Sequence, residues 1–231
     1  MSTELPRRRL YGRRQGHRLS PRQQHLMDDL LPRLRVDAKD RPIGEPAGLF
    51  DPVMRNVWLE IGFGGGEHLI AQARAHPDIG FIGCEPFVNG IAKLLVAIEE
   101  HQIGNIRIHD DDAHFLLPRL DAASIGRMFV LFPDPWPKKR HHKRRFITPE
   151  SLDEIARVLA DGAILRIASD IDDYVYWILR HLDRHPDFVW QASSCADWSR
   201  RAADWPATRY ESRAIEAGRR PRYLGFRRRA R

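Results

Sequence analysis

The sequence predicts an α/β fold in which a mostly parallel sheet of seven strands carries helices on both faces. Three observations lead to this prediction. Short β-rich segments alternate with helical segments from residue 57 onward, a glycine-rich turn joins the first of these strands to a helix, and two further β-rich segments come near the end of the chain. Such alternation is typical of βαβ units, whose helices cover both faces of a parallel sheet.

The first 50 residues are expected to precede this domain, which we place at residues 51–231. Residues 1–50 comprise a flexible basic arm, a short helix and a linker, at 1–18, 20–34 and 37–52. Ser20 is a typical helix N-cap, and Pro21 suits the first helical position. The third segment is rich in Pro, Gly and Asp, which indicates a linker.

From residue 57, four predicted strands are separated by three predicted helices. The strands are expected at 57–61, 80–85, 105–109 and 127–132. The spacing of apolar residues between them predicts helices over 67–76 and 88–102 and a helical turn or helix over 112–120. The first four strands should therefore form the parallel part of the sheet.

The last third of the chain supplies the remaining elements. Thr148 as a cap and Pro149 at the first position predict a helix that runs to about residue 160. A strand, a helix and two closing strands are then expected, at 163–169, 171–182, 188–194 and 222–228. This brings the total to seven strands.

Composition favours a single cytoplasmic domain. A chain of 231 residues can bury a full core. Its two cysteines, Cys84 and Cys195, suit neither a disulfide framework nor a zinc site, so we expect a reducing compartment and no metal. No apolar stretch reaches the roughly 18 residues that span a bilayer, and no signal peptide is recognisable. We expect a monomer or homodimer with no membrane partner.

The distribution of charge predicts a polyanionic partner. Three stretches, residues 1–22, 138–145 and 219–231, hold 20 of the 38 Lys and Arg residues and one of the 31 Asp and Glu residues. The rest of the chain is therefore acidic, although the net charge is +7. A single run of this kind is often only a solvated surface. Three of them favour nucleic acid, because Arg pairs with phosphate and binding releases counterions.

The turn after the first predicted strand is a candidate site for a methyl donor. Gly62, Gly64 and Gly66 in LEIGFGGGEHL allow a ligand to approach the backbone, and the next helix offers unpaired amides. A dinucleotide site has the spacing G-x-G-x-x-G, whereas Glu67 stands at its last position here. Glu60 would repel a pyrophosphate but attract the ammonium and sulfonium groups of S-adenosylmethionine. We therefore predict S-adenosylmethionine as the cofactor.

Acidic residues also follow the next two predicted strands. Glu85 ends the second strand, at a distance that suits a carboxylate accepting both ribose hydroxyls. Asp112 follows the third strand, where an acid can accept the adenine amino group. Ligands of open α/β sheets bind at these carboxyl ends. Acids at three successive strand ends therefore favour a donor site that includes Glu60, Glu85 and Asp112.

The segment FPDPWPKKRHHKRR, residues 132–145, places one acid before six Lys and Arg residues. Asp134 comes just after the fourth predicted strand, and the flanking Pro133 and Pro135 stiffen its loop by fixing φ. The structural alternative is a proline-rich turn with Trp136 in the core. As a site, the segment would hold a reactive carboxylate beside a nucleic-acid surface.

With these motifs the chain resembles the bacterial tRNA (guanine-N7)-methyltransferases, class I S-adenosylmethionine enzymes that modify guanosine 46 in the variable loop. The resemblance covers nearly the whole chain and rests on RRQGHRLSPRQ (13–23), LEIGFGGG (59–66), FPDPWPKKRHHKRR (132–145), ASD (168–170) and TRYESR (208–213). The FPDPW motif followed by bases is highly specific, whereas the glycine turn is shared by most class I methyltransferases. The resemblance implies a Rossmann-like class I methyltransferase fold.

The resemblance also implies roles for individual residues. It implies that Asp134 is the catalytic acid and lines the donor site together with Glu60, Gly62, Gly64, Gly66, Glu85 and Asp112. It implies substrate contacts for Lys138, Asp170, Thr208, Arg209, Tyr210 and Glu211. It implies RNA contacts for Arg140, His141, His142, Lys143, Arg144 and Arg145. The effects of Arg209 and Tyr210 inside the Thr-x-x-Glu motif are left open, and Pro86 and Pro137 are small departures from the family pattern.

The chemistry of guanine explains why an acid stands beside so many bases. Guanine N7 has a free lone pair at neutral pH, so methylation needs no general base, but the ring gains positive charge. Asp134 can stabilise that charge, while the basic run holds phosphates. With Lys138 and Lys139 nearby, we expect the pKa of Asp134 to lie well below neutrality. His141 and His142 are expected to contact RNA rather than a metal.

Two other functions fit parts of the sequence. One is an RNA exocyclic-amine methyltransferase that acts on adenine N6 or guanine N2, because Asp-Pro-Trp is similar to the Asp-Pro-Pro-aromatic motif of N6-adenine enzymes. Trp136 stands here in place of a second proline. The other is a non-catalytic RNA-binding module, against which the complete set of acids argues.

Overall fold

The fold was determined from a computed structural model, which describes residues 12, 14–38 and 42–231. Most of the predicted arm at 1–18, including Arg13 of the RRQGHRLSPRQ motif, lies outside the described residues. The same holds for residues 39–41 of the predicted linker.

The described chain forms one sheet of seven strands. They are β1 (Asn56–Ile61), β2 (Ile79–Cys84), β3 (Ile106–His109), β4 (Ile125–Leu131), β5 (Leu159–Ser169), β6 (Phe188–Trp190) and β7 (Arg222–Arg228). Their order is β3-β2-β1-β4-β5-β7-β6. Strands β1 to β5 are mutually parallel, and β7 runs antiparallel to both β5 and β6. The predicted mostly parallel, seven-stranded sheet is therefore confirmed.

The described residues also form nine α-helices and three short 3₁₀ helices. The α-helices are α1 (Pro21–Asp29), α2 (Leu31–Leu34), α3 (Glu67–Ala75), α4 (Val88–His101), α5 (Ala113–Leu116), α6 (Pro149–Val158), α7 (Asp172–Arg184), α8 (Cys195–Ser199) and α9 (Arg209–Glu216). The 3₁₀ helices are Pro46–Leu49, Leu117–Arg119 and Lys139–Arg144. In this part of the chain, no helix has the length and apolar character needed to cross a membrane.

Two apolar clusters pack on opposite faces of the sheet. Side chains alternate between the faces of a strand, so in β1 Leu59 joins one cluster and Trp58 the other. The first cluster includes Ile155 of α6 and Ile178 of α7. The second includes Leu94 of α4 and the apolar side chains of α1 to α3. Helices therefore cover both faces, as predicted.

The predicted helix over 20–34 is two helices in the structure. Ser20 caps α1 with a capping box in which its hydroxyl accepts from the Gln23 amide. The helix is interrupted at Leu30. Pro32 lies in the first turn of α2, because proline is accepted there but not in a helix interior. Leu26 and Leu31 pack into the same cluster as α4. The division of the chain at residue 51 stays a prediction.

The predictions for the C-terminal third need three corrections. Helix α6 ends at Val158, and β5 begins at Leu159 rather than at 163. Strand β6 is three residues long instead of seven, because the Asp197 carboxylate accepts from the amides of Ser193 and Ser194 and turns the chain into α8. Helices α8 and α9 were not predicted, although Ser194 and Thr208 cap them through capping boxes.

Candidate active site

The candidate site lies where the order of the strands changes direction. Strands β1 and β4 are neighbours at the centre of the sheet, with β2 and β3 on one side and β5 on the other. A cavity of about 480 Å³ opens at their carboxyl ends. Its wall includes residues that follow β1, β2, β3 and β4: Gly62, Gly64, Glu85, Asp112, Phe132 and Asp134. Four separate strands therefore bring their terminal residues to one binding site.

The glycine turn after β1 uses backbone conformations that other residues rarely adopt. Gly62, Gly64 and Gly66 have φ angles of 73°, 58° and 83°. The turn also passes close to α4, because a Cβ on Gly90 would lie 2.2 Å from the Gly64 carbonyl oxygen. Gly66 caps α3 and completes the turn. Glycine is thus required here for conformation as well as for room.

Glu85 connects the ends of β1 and β2. Its carboxylate accepts hydrogen bonds from the amides of Gly64, at 2.8 Å, and Phe87, at 3.0 Å. Burial raises the pKa of Glu85 from its ordinary value, and the two backbone hydrogen bonds partly offset this shift. Because carboxylate oxygens accept more than one hydrogen bond each, Glu85 can hold the turn and still bind a ligand hydroxyl.

Asp112 begins α5 at the end of β3. Its Oδ1 atom accepts from the backbone amide of His114 at 3.0 Å and lies 2.6 Å from the Nδ1 atom of the same residue. The neighbouring Asp111 pairs with Arg14 at 2.7 Å, which ties the N-terminal segment to the rim of the cavity. An acid and an imidazole therefore stand together at this end of the cavity.

Glu60 lies beneath the turn rather than on the wall of the cavity. It shares a face of β1 with Trp58, because side chains alternate along a strand. Its carboxylate is buried and lies 2.6 Å from the Nδ1 atom of His68 in α3. Glu60 is not among the described residues that line the cavity, so it can influence a bound cation only at a distance.

The loop that carries Asp134 is held in a strained conformation. Phe132 and Trp136, on either side of it, have φ angles of 51° and 42°, which are unfavourable for residues other than glycine. The Phe132 amide donates to the Ala168 carbonyl of β5 at 2.8 Å. Such strain persists only where surrounding contacts enforce it. The loop is therefore preorganised around its single carboxylate.

The Asp134 carboxyl stands in the cleft formed by this loop. The residue as a whole is exposed at the mouth of the cavity, yet the protein around the carboxyl removes enough solvent to raise its pKa from the ordinary value. Positive charge on the lysines that follow it would lower this pKa. Lys138 and Lys139 are exposed, so water screens their effect.

The basic run folds into a 3₁₀ helix over Lys139–Arg144, which separates its residues onto different faces. Residues three apart eclipse each other in a 3₁₀ helix. His141 and Arg144 both face Trp136, with the His141 ring 5.9 Å and the Arg144 guanidinium 5.0 Å from the Trp136 ring centre. The exposed side chains of the run are those of Lys138, Lys139, Arg140 and Lys143.

Helix α9 closes the cavity above the glycine turn. Thr208 caps it in a capping box with Glu211, whose buried carboxylate also pairs with Arg201 at 2.9 Å. Tyr210 lies on the cavity wall, and a Cβ on Gly64 would be 2.7 Å from its ring. The sequence left the role of Tyr210 open; the structure places its ring against the turn.

Comparisons with known proteins show the family to which the chain belongs. A family model described as "Putative methyltransferase" matches residues 54–222. A tRNA (guanine-N(7)-)-methyltransferase from Rhodospirillum rubrum is 51% identical over 226 residues, which cover 96% of this chain and 89% of the relative. One from Paramagnetospirillum magneticum is 54% identical over 228 residues, covering 97% and 94%. The chain belongs to the tRNA (guanine-N(7)-)-methyltransferase family.

Solved structures of lower identity confirm the fold of this family member. The 16S rRNA methyltransferase KamB superposes with a TM-score of 0.53 at 18% identity, covering 77% of this chain and 89% of that one. An S-adenosylmethionine-dependent O-methyltransferase from Thermotoga maritima gives 0.51 at 14% identity, covering 80% and 64%. The predicted Rossmann-like class I methyltransferase fold is therefore correct.

In this tRNA (guanine-N(7)-)-methyltransferase family member, the residues predicted to bind substrate lie on several separate elements. Lys138 precedes the 3₁₀ helix, and Asp170, just after β5, forms an ion pair with Arg219. Arg209 lies 3.5 Å from Glu67 at the start of α3. Among these residues, Tyr210 is the one whose side chain reaches the cavity wall in the described structure.

Arg145 is the one expected RNA contact that the structure contradicts. Its side chain is fully buried, whereas the other members of the run are exposed or half-buried. Its Nε atom donates to the Pro135 carbonyl at 2.8 Å, and its guanidinium forms an ion pair with Asp173. Because it has no accessible surface, Arg145 cannot touch RNA in this conformation.

Several residues of the site were missed from the sequence. His68 pairs with Glu60, and His114 pairs with Asp112, so each histidine contacts a predicted acid. Phe87 and Phe146 add aromatic surface to the cavity wall. Phe87 and His114 had a local signal, since each follows a predicted acid by two residues. His68 had none, because its pairing with the buried Glu60 is set by the packing of α3 on β1.

Proposed function

We propose that the protein transfers a methyl group from S-adenosylmethionine to N7 of guanine in tRNA, at guanosine 46 of the variable loop. The observation that carries this proposal is the position of Asp134. Its preorganised carboxylate opens into the same cavity as Glu85 and Asp112 and stands directly before a row of exposed bases. The relatives described above are named for methylation of guanine N7 in tRNA, which supports the substrate and the atom in this proposal. We expect the reaction to take place in the cytoplasm.

The cavity fits S-adenosylmethionine. Its volume of about 480 Å³ lies within the usual range for cofactor sites. Glu85 would hold the ribose hydroxyls, and Asp112 would face the adenine amino group. The glycine turn and the amides at the start of α3 suit the methionine carboxylate. When bound, the cofactor supplies an electrophilic methyl group on a sulfonium.

The residues of this chain then have to place guanine and stabilise its charge. The N7 lone pair forms the new bond to carbon as the carbon–sulfur bond breaks, so no proton is removed. Positive charge leaves the sulfonium and appears on the guanine ring. Asp134, held by its strained loop, stabilises this charge without having to reorganise.

Nucleoside analysis of treated tRNA tests the proposal directly. A tRNA transcript with guanosine at position 46 would be incubated with the protein and S-adenosylmethionine, digested, and analysed by mass spectrometry. We expect 7-methylguanosine, and we expect none when position 46 is adenosine. N6-methyladenosine or N2-methylguanosine would support the exocyclic-amine alternative, and the absence of any methylated nucleoside would support the binding module.

The exposed bases should set the affinity for tRNA. We expect the triple variant Lys139→Gln, Arg140→Gln and Lys143→Gln to lower tRNA affinity, because each lost phosphate contact reduces the slope of log affinity against log salt by about one. S-adenosylmethionine binding should not change. Binding titrations at several salt concentrations measure both quantities.

The control replaces two exposed arginines near the amino-terminal ends of the strands, away from the cavity at the carboxyl ends. Arg55 precedes β1, and Arg74 lies in the last turn of α3. Their replacement by Gln also removes positive charge but should leave the salt slope as in the wild type. If the triple variant kept the wild-type slope too, the basic run would face solvent in the complex.

A further inference from the structure

We infer that Arg145 is a positioning residue for the reaction, which fixes the Asp134 loop from inside the protein instead of binding RNA. This inference rests on the proposed function, because it concerns the methyl-transfer step. It starts from the burial of Arg145, whose side chain has no exposed surface. A buried guanidinium needs partners that compensate for lost hydration, and the partners of Arg145 come from two separate elements.

The first partner is the backbone of the Asp134 loop. The Arg145 Nε atom donates to the Pro135 carbonyl oxygen at 2.8 Å. That carbonyl belongs to the peptide that leads into Trp136, whose φ angle of 42° is unfavourable. A charged donor makes a stronger hydrogen bond than a neutral one. Arg145 therefore holds the strained peptide next to the residue that carries the reactive carboxylate.

The second set of partners lies on α7. The guanidinium carbon is 4.9 Å from the ring centre of Tyr174 and 5.0 Å from that of Trp177, so both rings contact the cation. The guanidinium also forms an ion pair with Asp173. Trp177 in turn donates from its indole to the Ile147 carbonyl at 2.6 Å. Arg145 thus connects the Asp134 loop to a helix on the body of the domain.

The planar guanidinium suits this position in a way that an ammonium does not. It can stack against two rings while its edge donates to a carbonyl and a carboxylate at once. Lysine has one compact charged end, so it can satisfy the Pro135 carbonyl or Asp173 but not keep the stacking. Arg145→Lys should therefore restore only part of what Arg145→Ala loses.

Single-turnover methylation of tRNA tests this role. We expect Arg145→Ala to slow the methyl-transfer step by about 10- to 100-fold, since small displacements of a reacting group have effects of this size. The tRNA affinity and its salt slope should stay at wild-type values. Adding millimolar guanidinium chloride should restore part of the rate, whereas sodium chloride at equal ionic strength should not.

Arg140→Ala is the matched control, because Arg140 is an exposed base of the same run. We expect it to lower tRNA affinity and the salt slope, with no recovery in guanidinium. The inference is wrong if Arg145→Ala behaves like Arg140→Ala, or if its methyl-transfer rate equals that of the wild type. Wild-type protein that methylates no guanine N7 would instead contradict the proposed function.

A second variant covers the case in which Arg145→Ala does not fold. Asp173 is exposed over 62% of its side chain, so Asp173→Asn should leave the fold intact, which thermal unfolding would verify. It removes the ion pair that orients the guanidinium, so we expect a several-fold slower methyl-transfer step at saturating tRNA. A wild-type rate in a folded Asp173→Asn protein would overturn the positioning role.

Discussion

Asp134→Asn should lower the single-turnover rate of methyl transfer by about 10²- to 10³-fold, the range for the loss of one preorganised electrostatic group. The substitution keeps the size of the side chain but removes the charge that stabilises the methylated guanine. Because the contacts that hold the loop, from the Phe132 amide to Ala168 and from Arg145 to the Pro135 carbonyl, do not use the Asp134 carboxylate, the fold and tRNA affinity should be retained. Rapid-quench methylation, tRNA titration and thermal unfolding measure the three quantities.

The pH dependence of the wild-type rate separates charge stabilisation from general base catalysis. Partial burial raises the pKa of Asp134, so its carboxylate is lost as the pH falls through that value. The rate should therefore fall on the acid side and stay constant through neutral pH. A rate that rises with a titration near neutral pH, and loses this titration in Asp134→Asn, would establish a general base and favour the exocyclic-amine reaction.

Glu85→Ala should weaken S-adenosylmethionine binding by ~100-fold or more. Each charge-assisted hydrogen bond to a ribose hydroxyl contributes on the order of 1.5–3 kcal/mol. The variant also frees the Gly64 and Phe87 amides, which Glu85 now holds at 2.8 and 3.0 Å, so the turn becomes less ordered before the cofactor binds. Isothermal titration calorimetry measures the change.

Two further variants make this test specific. Glu85→Gln keeps the volume and one acceptor oxygen, so its effect should lie between wild type and Glu85→Ala. Glu100→Gln, at an exposed site in the last turn of α4, should bind the cofactor as the wild type does. Wild-type affinity in Glu85→Ala would show that the ribose lies elsewhere in the cavity.

The core of the fold and the residues of the donor site could be predicted because their signals lie in short stretches of sequence. The alternation of strands and helices shows in short stretches of sequence, and parallel strands bring their carboxyl ends to one edge. Gly64, Glu85, Asp112 and Asp134 follow four such strands, and the structure places all four on one cavity. Helices α8 and α9 had capping residues as signals, but Arg-rich and Pro-containing surroundings obscured them.

The sequence by itself determined the succession of strands and helices from β1 to α7, because hydrophobic periodicity and capping are properties of neighbouring residues. It also determined that acids would gather at the carboxyl edge of the sheet. Only the tertiary structure decided what each base in 138–145 does. Arg145 is buried because Tyr174 and Trp177, on a helix that comes much later in the chain, enclose its guanidinium, and such long-range packing leaves no trace in the local sequence.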